Sequence, residues 1–315
     1  MSMKTIFKLS YPTTLVVMAI IIVLLSACNK KQEFQQSAYY WSTVFSLDST
    51  QLSFLKQNSI DRLYIRYFDV VNNPDGSSIP NATLRFLSQV PDNIEVVPTV
   101  YILNECMSHG SDNLDSLVLH RILQMNQTHD IAGVKEIQID CDWTINTRDN
   151  FFNFLKKIVN RARKHNIAVS ATIRLHQLSQ PVPPVERGTL MVYNTGDITK
   201  LNSRNPILDM RDVKPYLKNL RSYNLSMNVA YPVFAWKVVF RNGKYVGIIH
   251  SDDDMPIFPS DTIIEQSVAL DEIVKVKHAI NKLRPEINND IILFDISQSN
   301  IKRINKYHYE KIYNH

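Results

Sequence analysis

The side chains best suited to chemistry are concentrated between Glu136 and Thr144, in the run Glu-Ile-Gln-Ile-Asp-Cys-Asp-Trp-Thr. Alternation along a strand places Asp140 and Asp142 on one face together with Glu136 and Gln138, while the opposite face is apolar. Both aspartates fall near the C-terminal end of the predicted strand, where barrels of parallel strands carry their active sites. They are therefore candidates for acid–base catalysis, and buried structural acids paired with arginines are the alternative.

The strand predicted to follow carries four polar side chains on one face: Ser170, Thr172, Arg174 and His176. Parity on the second predicted strand also turns Arg66 toward the interior. We expect Arg66 and Arg174 to lie beside Asp140 and Asp142, where their positive charges favour the ionised carboxylates. His176 is expected near the mouth, either as a hydrogen-bonded wall residue or as a group that orients substrate.

Other kinds of site lack their signatures in this sequence. No Gly-x-Ser-x-Gly segment is present, which argues against a serine hydrolase built on a nucleophile elbow. The histidines are not spaced as a zinc site requires and no phosphate-binding glycine loop occurs, so we expect neither a metal nor a cofactor. Asp252-Asp-Asp254 does not have the spacing of an EF-hand and is predicted to be a solvated acidic turn.

Short β-branched and aromatic runs alternate with amphipathic stretches, which predicts an α/β fold, a single (β/α)8 TIM barrel. The predicted strands are residues 39–47, 62–71, 95–103, 136–143, 168–177, 189–194, 226–232 and 290–297. Helical periodicity is clearest in residues 149–165 and 265–283. Shorter helices are predicted to begin near Asp48, Pro80, Asp112 and Asp212.

Two departures from a regular barrel are visible. Pro181, Pro183 and Pro184 stand where a helix would follow the fifth strand, so an irregular loop is predicted there. After the seventh strand, Asn242-Gly243 separates two β-rich runs, which predicts a β-hairpin with a type I′ turn. This insertion would stand on the C-terminal face of the barrel, as a lid or wall for a ligand or as a decoration.

The N-terminus has the features of an export signal. Lys4 and Lys8 precede an apolar run over residues 15–25, and Leu-Ser-Ala-Cys follows with its cysteine at position 28. This resembles a bacterial lipoprotein signal, which implies cleavage, lipidation of Cys28 and a lipid-anchored protein of the cell envelope, at the outer membrane. We therefore predict a signal peptide and lipobox over residues 1–28, a tether over 29–38 and the barrel domain over 39–315.

The charge pattern limits the partners. The formal net charge of +5 is spread along the 315 residues without a basic stripe, so we expect no nucleic-acid partner. Cys106 and Cys141 are the cysteines besides Cys28, and either a disulfide between them or packed thiols fits the sequence.

Two segments resemble chitinase-like family 18 glycoside hydrolases. Residues 139–144, Ile-Asp-Cys-Asp-Trp-Thr, are similar to the alternating acids on the fourth strand of that family, and Met191-Val-Tyr-Asn194 is similar to its Met-x-Tyr-Asp run. The resemblance implies a carbohydrate ligand. The family's proton-donating glutamate is matched here by Thr144, and its second aspartate by Asn194. Over most of the mature chain, the sequence also looks like uncharacterised TIM-barrel lipoproteins of Bacteroides-type bacteria; the segments that carry this resemblance are residues 39–41, 63–69, 139–144, 172–177 and 191–194.

A threonine cannot act as the general acid, so hydrolysis would need other carboxyl groups. Asp142 would then be the proton donor and Asp140 its electrostatic neighbour, with Asp69, Glu105 or Asp295 as the second carboxylate. Residues expected to bind substrate are Asp69, Arg174, His176, Tyr193, Asn194, Trp236 and Asp295. The aromatic residues near strand ends are candidates either for stacking on sugars or for packing: Tyr67, Tyr101, Trp143, Tyr193, Tyr231 and Trp236.

Two functions remain open from the sequence: a glycoside-hydrolase-like enzyme that acts on a carbohydrate, and a non-catalytic glycan-binding lipoprotein that lost its acid at Thr144. A third interpretation, a structural envelope component without a small ligand, predicts that the hairpin plugs the mouth.

Overall fold

The structure, a computed structural model, describes residues 34–73, 76–110, 113–201, 204–249, 255–304 and 306–314. The strands in these ranges are β1 (Gln35–Tyr40), β2 (Val44–Phe45), β3 (Arg62–Asn72), β4 (Ser78–Asn81), β5 (Arg85–Phe86), β6 (Glu95–Ile102), β7 (Glu136–Asp140), β8 (Ala168–Arg174), β9 (Arg187–Met191), β10 (Met227–Pro232), β11 (Ala235–Arg241), β12 (Lys244–Ile249), β13 (Asp261–Ser267) and β14 (Asp290–Phe294). The helices are α1 (Ser49–Gln57), α2 (Leu114–Thr128), α3 (Arg148–Ala162), α4 (Met210–Leu217), α5 (Leu270–Asn281), α6 (Gln298–Arg303) and α7 (Lys306–Tyr313).

Eight parallel strands form a closed barrel, which confirms the predicted TIM-barrel fold. They pair in the order β1, β3, β6, β7, β8, β9, β10 and β14, and β14 pairs with β1 to close the ring. Helices connect several of the strands and pack their apolar faces on the outside. In α3, for example, Phe151, Leu155 and Ile158 recur at helical spacing and are fully buried.

The barrel interior contains polar side chains, as strand parity predicted, beside a small apolar cluster that includes Val97, Met191 and Ile292. The hydroxyl of Tyr39 donates a hydrogen bond to Oε1 of Gln138 (2.5 Å), and Nε2 of Gln138 donates to the hydroxyl of Thr189 (2.9 Å). At the N-terminal end, the carboxylate of Asp290 pairs with Arg62 at 3.3 Å and with Arg187 at 3.2 Å. These charged side chains fill the N-terminal end of the barrel interior, so the accessible space lies at its C-terminal end.

The second and fifth units differ from a plain βα repeat. No helix begins near Pro80; β4, which contains that proline, pairs antiparallel with the end of β3. That prediction was wrong because Pro80 lies in an edge strand, where no ladder hydrogen bond is lost. In the fifth unit a single short 3₁₀ helix, Leu175–Ser179, precedes the prolines, which confirms the predicted irregularity.

The insertion after the seventh barrel strand contains the predicted hairpin. β11 pairs antiparallel with β12, and Asn242 and Gly243 at the turn have φ values of 50° and 74°, as a type I′ turn requires. The sequence did not predict β13, which pairs with the other edge of β11. Residues 265–267 therefore belong to a strand, and the helix predicted over 265–283 is confined to α5, Leu270–Asn281.

The start of the barrel also differs from the prediction. β1 begins at Gln35, and Ser37 and Ala38 are fully buried, so residues 35–38 of the predicted tether are part of the barrel. The predicted signal peptide, Cys28 and the acidic turn at 252–254 lie outside the described residues. Within the described ranges, no helix is long and apolar enough to cross a membrane. Cys106 and Cys141 are free and buried, which excludes a disulfide between them.

Candidate functional site

A cavity of about 700 Å³ opens at the C-terminal end of the barrel. Its walls come from the ends of the barrel strands, from the insertion sheet β11–β13 and from the segment that follows β14. Four acidic and four basic side chains line it: Asp140, Asp142, Glu265, Asp295, Arg66, Arg174, Lys237 and Arg303. The predicted mouth of the barrel is thus open and polar, and the insertion sheet forms part of its wall.

Asp140 is the last residue of β7 and lies inside the barrel. The hydroxyl of Thr172, on the adjacent strand β8, donates to Oδ1 of Asp140 at 2.5 Å. Nη2 of Arg174 donates to the same oxygen at 3.0 Å. Burial raises the pKa of Asp140 above its usual range, and the positive charge of Arg174 opposes that shift.

Asp142 lies beyond the strand, because β7 ends at Asp140 and not at residue 143. The side chain of Asp142 is 47% exposed, and its Oδ1 accepts a hydrogen bond from Nε of Arg174. Burial lowers the pKa of Arg174, but the two carboxylates outweigh burial and raise it well above its usual value. One guanidinium therefore holds both acids, as the sequence predicted for Arg174.

Arg66 does not join this pair, contrary to expectation. Its guanidinium bonds both oxygens of Asp69, through Nε at 2.8 Å and through Nη2, and lies 5.6 Å from the ring centroid of Trp41. Parity holds at Arg66, which faces the cavity, and it fails only beyond the register shift between Arg66 and Phe68, on the side where Asp69 lies. Asp69 is buried against Arg66 and is not among the cavity-lining residues, whereas Arg66 and Trp41 are.

Aromatic side chains form an apolar part of the wall. Phe294 packs on Tyr193 with ring centroids 4.8 Å apart and on Trp41 at 5.4 Å, and Phe234 packs on Trp236 at 5.2 Å. The indole N–H of Trp236 donates to Gln266 of β13 at 2.9 Å, which fixes its ring against the insertion sheet. The wall thus presents apolar ring surface beside the charged groups.

The structure separates the aromatic candidates. Tyr101, Tyr193 and Trp236 line the cavity, whereas three others are buried in the layer between barrel and helices: Tyr67, Trp143 and Tyr231. Burial, together with the negative charges of Asp142 and Asp140, raises the pKa of Tyr101 to about 12. The sequence did not identify three of the rings that line the cavity: Trp41, Phe234 and Phe294. Each of them lies at the end of a barrel strand or just beyond it.

Asp295 lies in the cavity wall immediately after β14. Its Oδ1 accepts hydrogen bonds from the backbone N–H of Ser297 (3.0 Å) and from Nδ2 of Asn300 (2.6 Å). Burial raises the pKa of Asp295, and these hydrogen bonds oppose the shift. The barrel strand ends at Phe294, so Asp295 lies in the following loop and not in the strand predicted over 290–297.

The remaining predicted residues are less central. β8 ends at Arg174, so His176 lies on the 3₁₀ helix that follows, where it is exposed and outside the cavity-lining set. Asn194 lines the cavity in a left-handed backbone conformation with φ 54°. Glu105 lines a separate cavity of about 300 Å³, which neither Asp140 nor Asp142 lines.

Thr144 stands at the position that the resemblance assigns to a catalytic acid. It is exposed and does not line the cavity. Its backbone N–H donates to the hydroxyl of Thr147 at 2.9 Å, in the turn that precedes α3. Among the described residues, no cluster of three or more His, Cys, Asp or Glu side chains has the geometry to hold a metal ion.

No family model matches the chain, and no curated protein matches it. Solved structures share its fold. The chitinase from Chromobacterium violaceum ATCC 12472 has a TM-score of 0.57 at 9% identity, covering 89% of this chain and 98% of its own. The spore cortex-lytic enzyme SleL of Bacillus megaterium QM B1551 has a TM-score of 0.55 at 12% identity, covering 84% and 71%.

The Group IV chitinase of Ostrinia furnacalis has a TM-score of 0.51 at 9% identity, covering 89% of this chain and 98% of its own. The structural neighbours are thus chitinase-like glycoside hydrolases, as the resemblance implied for the fold. The relationship to lipoproteins of Bacteroides-type bacteria stays a prediction.

Proposed function

We propose that this protein binds a carbohydrate in the mouth cavity and does not hydrolyse it through Asp142. The cavity volume of about 700 Å³ falls within the roughly 300–1,000 Å³ typical of ligand pockets. Its wall combines aromatic rings with hydrogen-bonding carboxylates and guanidinium groups, which suits a ligand with apolar ring faces and many hydroxyls. One structural neighbour, the Ostrinia furnacalis Group IV chitinase, was solved in complex with allosamidin.

The contact of Arg174 with both aspartates is the observation that carries this proposal. A proton donor must hold its proton until the glycosidic bond breaks, and a fixed positive charge favours the ionised carboxylate instead. Asp142 bonds Arg174, and Thr144 lies outside the cavity. The groups that resemble the family's catalytic acids are therefore arranged as hydrogen-bond acceptors for a ligand.

A glycan array followed by calorimetry on the best binder tests the proposal. We expect binding at about micromolar strength, with no new reducing ends when the same glycan is incubated with the protein and examined by mass spectrometry. Release of shorter sugars by wild type would show that the protein is an enzyme. Failure to bind any carbohydrate would contradict the proposal altogether.

Glycoside hydrolysis is the second candidate, and the position of Asp295 favours it. This carboxyl group lines the cavity and its pKa is raised by burial, which is the usual environment of a general acid. Asp140 or Asp142 would then supply the second carboxylate that the chemistry needs. If wild type does release product, Asp295→Asn should lower the rate by about 10²–10⁴.

We also propose that the protein is a lipid-anchored component of the cell envelope. The support is the sequence pattern that ends at Cys28, with two lysines, an apolar run and a small-residue cleavage site. A single acyl chain gives only marginal membrane binding, so the two or more chains of a lipoprotein anchor are needed for stable attachment.

A further inference from the structure

A second cavity, of about 500 Å³, lies beside the mouth cavity. One wall is the connection from β13 into α5, and the other is formed by the C-terminal helices α6 and α7. Six of its lining residues have aliphatic side chains: Val268, Ala269, Leu270, Ile273, Ile304 and Ile312. The mouth cavity, in contrast, is lined by aromatic rings and charged groups.

The aliphatic lining is continuous with the core of the protein. Ile273 and Ile312 are buried and belong to the main hydrophobic cluster. Val268, Leu270 and Ile304 pack against that cluster and keep part of their surface exposed. A sugar hydroxyl placed against these side chains would lose its hydrogen bonds to water, whereas an alkyl chain would gain by leaving water. The second cavity therefore suits an apolar group and not a further sugar.

The polar groups of the second cavity do not change this preference. Arg303 and Asp271 line it and have opposite charges. His308 and Lys311 also line it, and each already interacts with another group of the protein. The lining residues thus give no reason to expect an ionic ligand.

The two cavities follow one another along the same two walls. On β13, Glu265 lines the mouth cavity, and Ser267, about 7 Å further along the strand, lines the second cavity. On the opposite wall, Asn300 lines the first cavity, and Ile304, about 6 Å further along the helix axis, lines the second. Arg303 lines both. A ligand that leaves the mouth between β13 and α6 would therefore enter the second cavity.

Arg303 is held at this junction by hydrogen bonds. Its Nη2 donates to the backbone carbonyl of Val233 at 2.5 Å and to Oδ1 of Asn300 at 3.0 Å. Asn300 in turn bonds Asp295 in the mouth cavity. The guanidinium is thus fixed where the polar mouth meets the aliphatic cavity, at the place that the linkage between a sugar and an alkyl chain would occupy.

We propose that the second cavity receives an aliphatic chain attached to the sugar at the mouth, so that the ligand is a glycolipid. This inference rests on the proposed carbohydrate-binding function. It adds the chemical class of the ligand, which does not follow from the fold of the structural neighbours.

Calorimetry on the full-length protein, kept free of detergent, tests the inference with methyl, butyl, hexyl and octyl β-glucosides and the matching β-N-acetylglucosaminides. Each probe is used below the concentration at which it forms micelles. Affinity should rise by about two- to fourfold for each methylene that enters the second cavity, because burial of apolar surface is favourable. Equal affinity of the methyl and octyl probes would overturn the inference and leave the proposed carbohydrate binding intact.

Two variants locate the chain. Ser267→Trp fills the entrance of the second cavity from an exposed strand position and should abolish the gain with chain length, while the methyl probe binds as in wild type. Thr262→Trp adds the same bulk at an exposed position of β13 that lines neither cavity, and it should keep the gain.

Val268→Thr preserves the shape of the wall and should weaken binding of the octyl probe by about two- to tenfold, because the chain would desolvate the new hydroxyl. Val246→Thr makes the same change at an exposed position of β12 and should have no effect. If the gain with chain length survives both Ser267→Trp and Val268→Thr, the chain binds elsewhere and the inference is wrong.

The variant Trp236→Ala tests whether one ligand occupies both cavities. It should weaken binding of the methyl and octyl probes by the same factor, because the sugar of both lies at the mouth. An octyl affinity that Trp236→Ala does not change would show that the chain binds without the sugar, which contradicts a glycolipid ligand. If neither series binds, the inference is wrong, and the glycan array alone then decides the proposed function.

Discussion

Arg174 and Asp140 lie on adjacent barrel strands, and Nη2 of Arg174 donates to Oδ1 of Asp140 at 3.0 Å. Asp140 is only 3% exposed, and the hydroxyl of Thr172 also donates a hydrogen bond to it. A buried carboxylate is costly unless a cation or several hydrogen bonds stabilise it. The pair therefore contributes to folding as well as to the electrostatics of the mouth.

Replacing Arg174 with Met should destabilise the protein by about 3–5 kcal/mol, because Asp140 would remain buried without its cation. Urea unfolding measures the change. Arg148→Met is the control, since Arg148 pairs with the highly exposed Asp149 and such pairs contribute about 1 kcal/mol or less. A loss for Arg174→Met no larger than the control would mean that Asp140 does not depend on the arginine.

The Arg174 pair was predictable from the sequence because both strands are regular up to the residues involved. Alternation correctly turned Asp140, Thr172 and Arg174 to one face, and the apolar residues between them to the helices. The same rule failed for His176, where β8 has already ended, and it cannot be carried across the register shift that follows Arg66 in β3. Parity carries no information beyond a strand end or across a bulge.

The other differences between the predicted and the observed structure also arise where contacts between elements decide the outcome. β13 ends only a few residues before α5 begins, and the sequence pattern of this stretch predicts one helix over 265–283. A short edge strand obtains its stability from the neighbour it pairs with, here β11, and not from its own pattern. Trp41 and Phe294 meet across the closure of the barrel, between its first and last strands, and only the fold brings them together.

Installing the family acid should not create an enzyme. Thr144→Glu is expected to release no product from any bound glycan, because residue 144 is exposed and outside the cavity. Mass spectrometry of the incubated glycan is the measurement, with wild type as reference. Product formed by Thr144→Glu alone would show that this side chain reaches the ligand.

Asp142→Asn should change affinity and not turnover. The half-exposed carboxylate bonds Arg174 through Oδ1 and lines the cavity. Loss of the charge should weaken glycan binding by about two- to tenfold, the range of one ordinary hydrogen bond. Calorimetry compares the variant with Asp149→Asn, an exposed acid remote from the cavity lining. A wild-type turnover that falls by about 10²–10⁴ in the variant would instead identify Asp142 as a general acid.

The proposed lipidation of Cys28 predicts a change in fractionation. In the native host, Cys28→Ala should move the protein from the membrane fraction to the soluble fraction or trap the uncleaved precursor, because the acyl chains are lost. Immunoblots of the separated fractions measure the distribution. An unchanged membrane fraction would contradict the lipoprotein proposal, and Cys106→Ala, at a buried barrel position, is the control.

Lys277 gives the fold a measurable pH dependence. Its side chain is 3% exposed, and Nζ donates to the backbone carbonyls of Ile312 (2.7 Å) and Asn314, which joins α5 to the end of α7. Burial lowers its pKa to about 8, whereas an unfolded lysine titrates near 10.4. Between these values the unfolded chain binds more protons than the folded one, so stability gained from this group rises with pH.

The expected slope is up to about 1.4 kcal/mol per pH unit between pH 8 and 10, measured as the difference in unfolding free energy between wild type and Lys277→Met. Below pH 8 the lysine is charged in both states and the difference should be level. Lys282→Met, at an exposed position, should follow wild type at every pH. If the difference in unfolding free energy between wild type and Lys277→Met did not change with pH, Lys277 would keep its proton in the folded protein over the whole range.

Replacing Trp143 should affect mainly stability, whereas replacing Trp236 should affect mainly glycan binding, although the sequence made both of them candidates for stacking on sugars. Trp143 is fully buried and packs on Phe152 with ring centroids 5.3 Å apart, so Trp143→Ala should lower stability by about 3–5 kcal/mol. Trp236 is partly exposed in the cavity wall, and Trp236→Ala should weaken glycan binding by about fivefold or more while changing stability by roughly 1 kcal/mol or less. Urea unfolding and calorimetry on both variants distinguish the roles. Equal affinity in wild type and Trp236→Ala would remove the indole from the proposed binding surface, and the remaining rings of the cavity wall would be Trp41, Tyr101, Tyr193, Phe234 and Phe294.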